Sequence, residues 1–106
     1  MKKLDLSVYS ENTWEVTMPT GEVLQIKKPT QKQLIVLNGY DKKMAEAKDV
    51  EDKLKVLNEV AIFIINNNKS DKKYEVSYFE DTQIDVLYAI YYGYQEFVTE
   101  VMANPN

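Results

Sequence analysis

The stretch with the clearest chemical spacing is NNNKSDKKYEVS, residues 66 to 77. Asn66, Asn68 and Ser70 stand at the first three ligand positions of a calcium-binding loop. Asp71 occupies the place of the required glycine, and Ser77 the place of the final bidentate acid, so the pattern fails twice. A polar, solvated loop is the simpler expectation for 66 to 73. The acid pairs Glu51-Asp52 and Glu80-Asp81 have the type to hold magnesium weakly. Placement near the positive end of a helix dipole explains both pairs more simply. The three glycines form neither a phosphate-binding nor a dinucleotide-binding motif. The chain has no His and no Cys, which removes the usual general base, thiolate chemistry and the commonest metal ligands. Catalysis by Asp, Glu, Lys or Tyr alone needs a grouping that the sequence does not display. The expectation is a non-enzymatic protein with no cofactor and no metal.

Aromatic residues are the second feature. Tyr88, Tyr91, Tyr92, Tyr94 and Phe97 crowd into one segment near the C-terminus. At about 100° per residue, Tyr91 and Tyr94 join the apolar stripe Ile84, Leu87, Tyr91, Tyr94, Val98, Val101, with their hydroxyls near the rim. Tyr88 and Tyr92 are i, i+4 neighbours on a flank shared with Asp85 and Glu96. An aromatic pair beside acids suits a partner-binding surface, so Tyr88, Tyr92, Asp85 and Glu96 are the candidate site residues. The competing expectation is that the first helix or the hairpin covers the pair.

The elements that must position these residues can be read from hydrophobic period. In NTWEVTMPTGEVLQIK, Trp14, Val16 and Met18 alternate with polar residues, and Leu24 and Ile26 restore the same face after Pro19-Thr20-Gly21. That is a β-hairpin. Two strands alone are marginal in water. The hairpin must pack on helices, gain a third strand from Leu6–Tyr9, or pair with another chain. An unpaired edge would be a site for β-augmentation or homo-oligomer formation. Pro29 cannot donate to a ladder, so it ends the second strand. Thr30 and Gln33 then form a capping box for a helix over about 31 to 47, with Leu34, Ile35, Leu37 and Met44 apolar and Gly39 a weak point. Asp49 caps a second, central helix with the stripe Val50, Leu54, Leu57, Ala61, Ile64. Ser77-Tyr78-Phe79-Glu80 is read as a capped single turn, and Thr82 as the cap of a last helix over about 83 to 102, stopped by Asn104-Pro105-Asn106. The fold class is therefore α+β. One domain spans 1–106, with a β-hairpin region at 1–28 and a bundle of about three helices at 30–103.

Charge narrows the partners. All 13 basic residues are Lys, and the formal net charge is -4. No basic residue follows Lys73, whereas Glu75, Glu80, Asp81, Asp85, Glu96 and Glu100 do. An acidic C-terminal third repels phosphate backbones, so nucleic acid is not expected as a partner. The longest apolar run, Val60–Ile65, is too short to span a membrane, and Asp5 interrupts the only stretch resembling a signal peptide. A cytoplasmic protein-binding domain is the expectation.

The order of elements adds one resemblance. A short β segment, the junction carried by Ile26, Pro29, Thr30, Gln33 and Leu34, and acidic amphipathic helices resemble the small tail assembly chaperones of long-tailed, siphovirus-like phages and prophages of Gram-positive bacteria. The resemblance covers nearly the whole chain as a pattern of elements, not as a catalytic signature. It implies a protein that binds the tape-measure protein and keeps it soluble until the tail tube forms. It also implies absence from the finished particle and, in some members, a longer frameshifted form. It transfers no binding residues. A structural tail or head-tail connector subunit and a small regulatory protein-binding module are the alternatives.

Overall fold

The computed structural model describes residues 2–10 and 12–103. A 3-10 turn (Leu6–Ser10) leads into strands β1 (Thr13–Thr17) and β2 (Val23–Lys27). Helices α1 (Gln31–Glu46) and α2 (Val50–Ile65), a 3-10 turn at Val76–Phe79 and helix α3 (Ile84–Ala103) follow. The fold is α+β, as the periodicities require. The expected terminator Asn104-Pro105-Asn106 lies outside the described residues.

β1 and β2 pair antiparallel, with Trp14 opposite Ile26 and Val16 opposite Leu24. Their shared inner face carries the alternating apolar set. The connection closes with Gly21 N–H donating to Met18 O at 2.8 Å and Met18 N–H donating to Glu22 O at 2.7 Å. Gly21 sits at φ 92°, a region that Gly enters without a Cβ penalty.

No third strand forms at residues 6 to 9. The Asp5 carboxylate accepts from both the backbone N–H and the hydroxyl of Ser7, a local bond that competes with extended pairing. Leu6 and Val8 stay exposed. The support that β2 needs comes from after α2. Lys27 N–H donates to Asn67 O at 2.8 Å, and Lys69 N–H to Gln25 O at 3.0 Å, so Ile26 and Asn68 form a β-bridge.

Residues 66 to 73 are thus not a plain solvated loop. Asn68 is only 1% exposed. Its amide donates to Ile65 O and Lys72 O at 2.9 and 2.8 Å, and its Oδ1 accepts from Lys72 N–H at 3.0 Å. Asn66 pairs in the same two-way manner with the backbone of Tyr74. Asn67 and Gln33 exchange side-chain amide bonds at 3.2 and 3.3 Å. Asp71 takes φ 54°, a left-handed conformation that Asp accepts more readily than most residues.

Thr30 caps α1 as expected, its hydroxyl accepting from Gln33 N–H at 3.1 Å while Gln33 Oε1 accepts from Thr30 N–H at 2.9 Å. Asp49 caps α2, accepting from Asp52 N–H at 2.8 Å. The turn at Val76–Phe79 starts one residue earlier than expected, and Glu75 at its cap position makes no side-chain cap bond. Helix α2 is central, burying Leu57, Val60, Ala61, Ile62, Ile64 and Ile65. Helix α3 buries Leu87, Ile90, Tyr91, Tyr94 and Phe97.

Four expected core positions lie outside the core. Ile35 and Val50 are each 71% exposed, Ile84 is 47% exposed and Leu54 37%. No residue of α1 is fully buried. Overall extents are 57 × 32 × 18 Å, and the radius of gyration is 15.1 Å, against about 13 Å for a compact domain of this length. The accessible surface is 7640 Å², whereas a folded chain of 12.4 kDa commonly exposes about 6100 Å². The fold is extended and leaves several apolar residues near helix ends exposed.

Trp14 locks the hairpin onto α3. Its ring centroid lies 5.9 Å from that of Tyr94 and 6.5 Å from that of Phe97. The approach requires Gly93, because a Cβ there would stand 2.6 Å from Trp14 Cζ2. Nothing lies within 4 Å of the same position at Gly39, through which α1 runs unbroken.

Two predictions follow from these contacts. Asn68→Ala removes three hydrogen bonds to the backbone of Ile65 and Lys72 and is expected to cost about 3 kcal/mol, against about 1 kcal/mol for Thr30→Ala. Chemical denaturation midpoints compare them, and equal losses would mean that Asn68 is not the stronger tie. Gly93→Ala is expected to destabilise the fold and shift emission of the single Trp to the red. Gly39→Ala should instead stabilise it by up to about 1 kcal/mol. Paired thermal melts and fluorescence spectra separate crowding from propensity.

Candidate functional site

An open space with a mainly apolar lining lies where α2, the Val76–Phe79 turn and α3 converge. Asn58 fixes the turn against α2 by donating from its side-chain amide to Val76 O at 2.8 Å. Phe79 plugs the junction and is almost fully buried. A short turn cannot cover the first halves of two helices, so a groove of about 500 Å³ stays open. Leu54, Val76, Phe79, Ile84 and Leu87 line it, with Glu80 and Thr82 on the same wall. Val76 and Ile84 remain exposed at its rim.

The sequence-derived candidates adjoin this groove along α3. Ile84, Tyr88 and Tyr92 recur every fourth residue, so they form one line on the helix. Tyr88 and Tyr92 stack with centroids 5.7 Å apart and planes 8° from parallel. Tyr88 is half-buried, packing its inner edge against the core, while Tyr92 is 53% exposed. Neither helix α1 nor the hairpin covers Tyr92. Asp85 and Glu96 are exposed on the same helix.

Tyr91 and Tyr94 turn inward, as their stripe positions require. The Tyr94 hydroxyl donates to Lys27 O at 2.7 Å, tying α3 to the end of β2. Burial pushes its pKa up to about 12. The Tyr91 hydroxyl donates to the Asp41 carboxylate, which also accepts from Gln95 Nε2 at 3.3 Å. Burial first, and the bond to Asp41 second, raise the Tyr91 pKa well above its ordinary value. On the hairpin side, Glu22 accepts from both the Lys72 ammonium and the Tyr74 hydroxyl. These bonds hold the Glu22 carboxyl below the usual range, with Lys72 the larger cause. Among the described residues no buried side-chain nitrogen or oxygen lacks a hydrogen-bond partner. None of these polar groups is left unpaired in the way that a site awaiting a ligand often shows.

Among the described residues no cluster of three or more His, Cys, Asp or Glu side chains is placed to hold a metal ion. No described helix is long and apolar enough to cross a membrane. Sequence reasoning missed Asn58, Val76 and Phe79 as parts of a surface. Their signal was indirect. The stripe of α2 begins at Val50 and Leu54, beyond the reach of any element able to cover it. No protein-family model, no curated protein and no solved structure matches the chain.

The buried tyrosines predict alkaline sensitivity. An unfolded Tyr loses its proton near pH 10, whereas folded Tyr94 keeps it to about 12. Between those values the folded state binds more protons than the unfolded state, so stability falls as pH rises. The contribution is complete below about pH 10 and is lost as pH rises through about 12. Denaturation midpoints across this range should drop, and Tyr94→Phe should flatten the slope. Identical slopes for the two proteins would exclude Tyr94 as a contributor.

Proposed function

We propose that the protein is a non-enzymatic assembly chaperone of the phage-tail kind, acting in the host cytoplasm. It holds a helical, aggregation-prone partner, the tape-measure protein, in soluble form before the tail tube assembles. The observation that carries the reading is the run of apolar positions past the core. The stripes of α2 and α3 continue through Leu54 and Ile84 into an open groove, on a chain with more surface than its mass requires. A large apolar surface rimmed by polar groups marks a protein-binding site. The strand-Pro-Thr-helix junction, intact as a working capping box, is compatible with the resemblance that suggests the partner.

Co-expression with fragments of a tape-measure protein tests this. The natural chain is expected to move at least one fragment into the soluble fraction and to co-purify with it. If no fragment is rescued, the chaperone reading fails. The double variant Tyr88→Ser, Tyr92→Ser, confirmed as folded, is expected to weaken the complex by about tenfold or more, because exposed aromatic anchors commonly carry about 2 kcal/mol. An unchanged complex would remove the aromatic pair from the surface while leaving the function in place.

A further inference from the structure

We propose that the groove between α2, the Val76–Phe79 turn and α3 seats one amphipathic helix of the partner. The apolar face of that helix enters the groove, and Lys or Arg residues flank it. This rests on the protein-binding reading above and specifies the chemistry that the partner must carry.

The apolar lining sets the first requirement. Phe79 and Leu87 are buried at its base, and Leu54, Val76 and Ile84 are exposed around them. An apolar groove between two helices accepts the apolar side chains of another helix, and the docked backbone keeps its hydrogen bonds internal. Leu54 and Ile84 are partly exposed with no neighbour above them, so filling the trough removes apolar surface from water on both sides.

The walls set the second requirement. Glu80 lines the groove itself. Glu75, Asp81 and Asp85 flank it on the same stretch of chain, all exposed. Across the groove, Glu51 lies three residues before Leu54 and shares its side of α2. No Lys follows residue 73 to offset the α3 wall. On α2, Lys55 lines a separate cleft against α1, with Lys43, Glu46, Asp52 and Glu59. Lys53 projects about 100° away from Leu54 around the helix. The side of the rim formed by the turn and α3 is therefore acidic, with Glu51 the acid nearest to Leu54 along its side of α2, and a helix with basic flanks complements it.

The same charges disfavour the other occupants. A second copy would bring one acidic wall against another. Nucleic acid and an anionic membrane surface meet both the repulsion and an apolar floor that offers them no hydrogen bonds.

Two labelled peptides of about 18 residues, long enough to be helical when bound, test the inference by anisotropy with the full chain. Both carry Leu at i, i+3, i+4 and i+7; one has Lys on its flanks, the other Glu. The Lys peptide is expected to bind at least about tenfold more tightly at low salt, with the gap narrowing as salt rises. Ile84→Ser, confirmed as folded by its thermal melt, should weaken it by about tenfold. The triple variant Glu80→Gln, Asp81→Asn, Asp85→Asn should reduce the preference between the peptides by several-fold, and an unchanged preference would also overturn the proposal. Equal binding of the two peptides, no binding of either, or an Ile84→Ser protein that binds like the natural chain would overturn the proposal. So would a dimer in sedimentation that Ile84→Ser converts to monomer, since the occupant would then be a second copy. If Ile84→Ser still solubilises tape-measure fragments, the groove assignment fails while the proposed function stands. Peptide selectivity without any rescue of those fragments supports the groove and overturns the chaperone reading.

Discussion

Side-chain amides of three consecutive asparagines hold the molecule together at its middle. Asn66 and Asn68 each offer a donor and an acceptor in the spacing of a peptide group, and each uses both on one backbone residue. Asn67 turns the other way, to Gln33 and the end of β2. One short segment thereby joins α2, the hairpin, the start of α1 and the strand-like path through Tyr74. Net values per bond are modest, but a buried amide that loses its partners leaves several backbone groups unsatisfied at once. Leu, similar in size to Asn but without a donor or acceptor, could fill the space and would leave those same groups orphaned.

That junction allows a two-stranded hairpin to persist in a chain that supplies no third strand. One edge of β2 is taken by β1 and the other by the bridge at Asn68. The inner face rests on α3 through Trp14 and Tyr94. The short Val76–Phe79 turn lies between the first halves of α2 and α3, and the groove stays open there.

Much of this was legible in the sequence. Alternation at Trp14, Val16 and Met18 located the hairpin, and Thr30, Gln33 and Asp49 marked the helix starts to within a residue. Local chemistry decides such features, so local patterns reveal them. The Asn network was not legible, because a run of polar residues looks the same whether its amides face water or backbone. Burial of Asn68 depends on residues brought near it only by the fold. The exposure of Ile35, Val50 and Ile84 was hidden for a related reason. Periodicity identifies an apolar face but not whether the rest of the chain is long enough to cover it. Of the candidate site, the Tyr88 and Tyr92 flank could be named in advance, whereas the groove needed Val76 and Phe79, which are brought to the helices by a turn of irregular sequence.

Trp14 has a further consequence, for the order in which the protein can fold. Its seat is built from Gly93, Tyr94 and Phe97. During synthesis the hairpin leaves the ribosome before α3, the helix that carries the surface that receives it. Helices α1 and α2 can associate while the chain is still growing, since their contacts are close in sequence. The hairpin cannot dock until α3 has emerged, and closing so long a loop is the slow kind of contact. Until α3 emerges the chain therefore carries an unburied tryptophan on an unsupported strand pair.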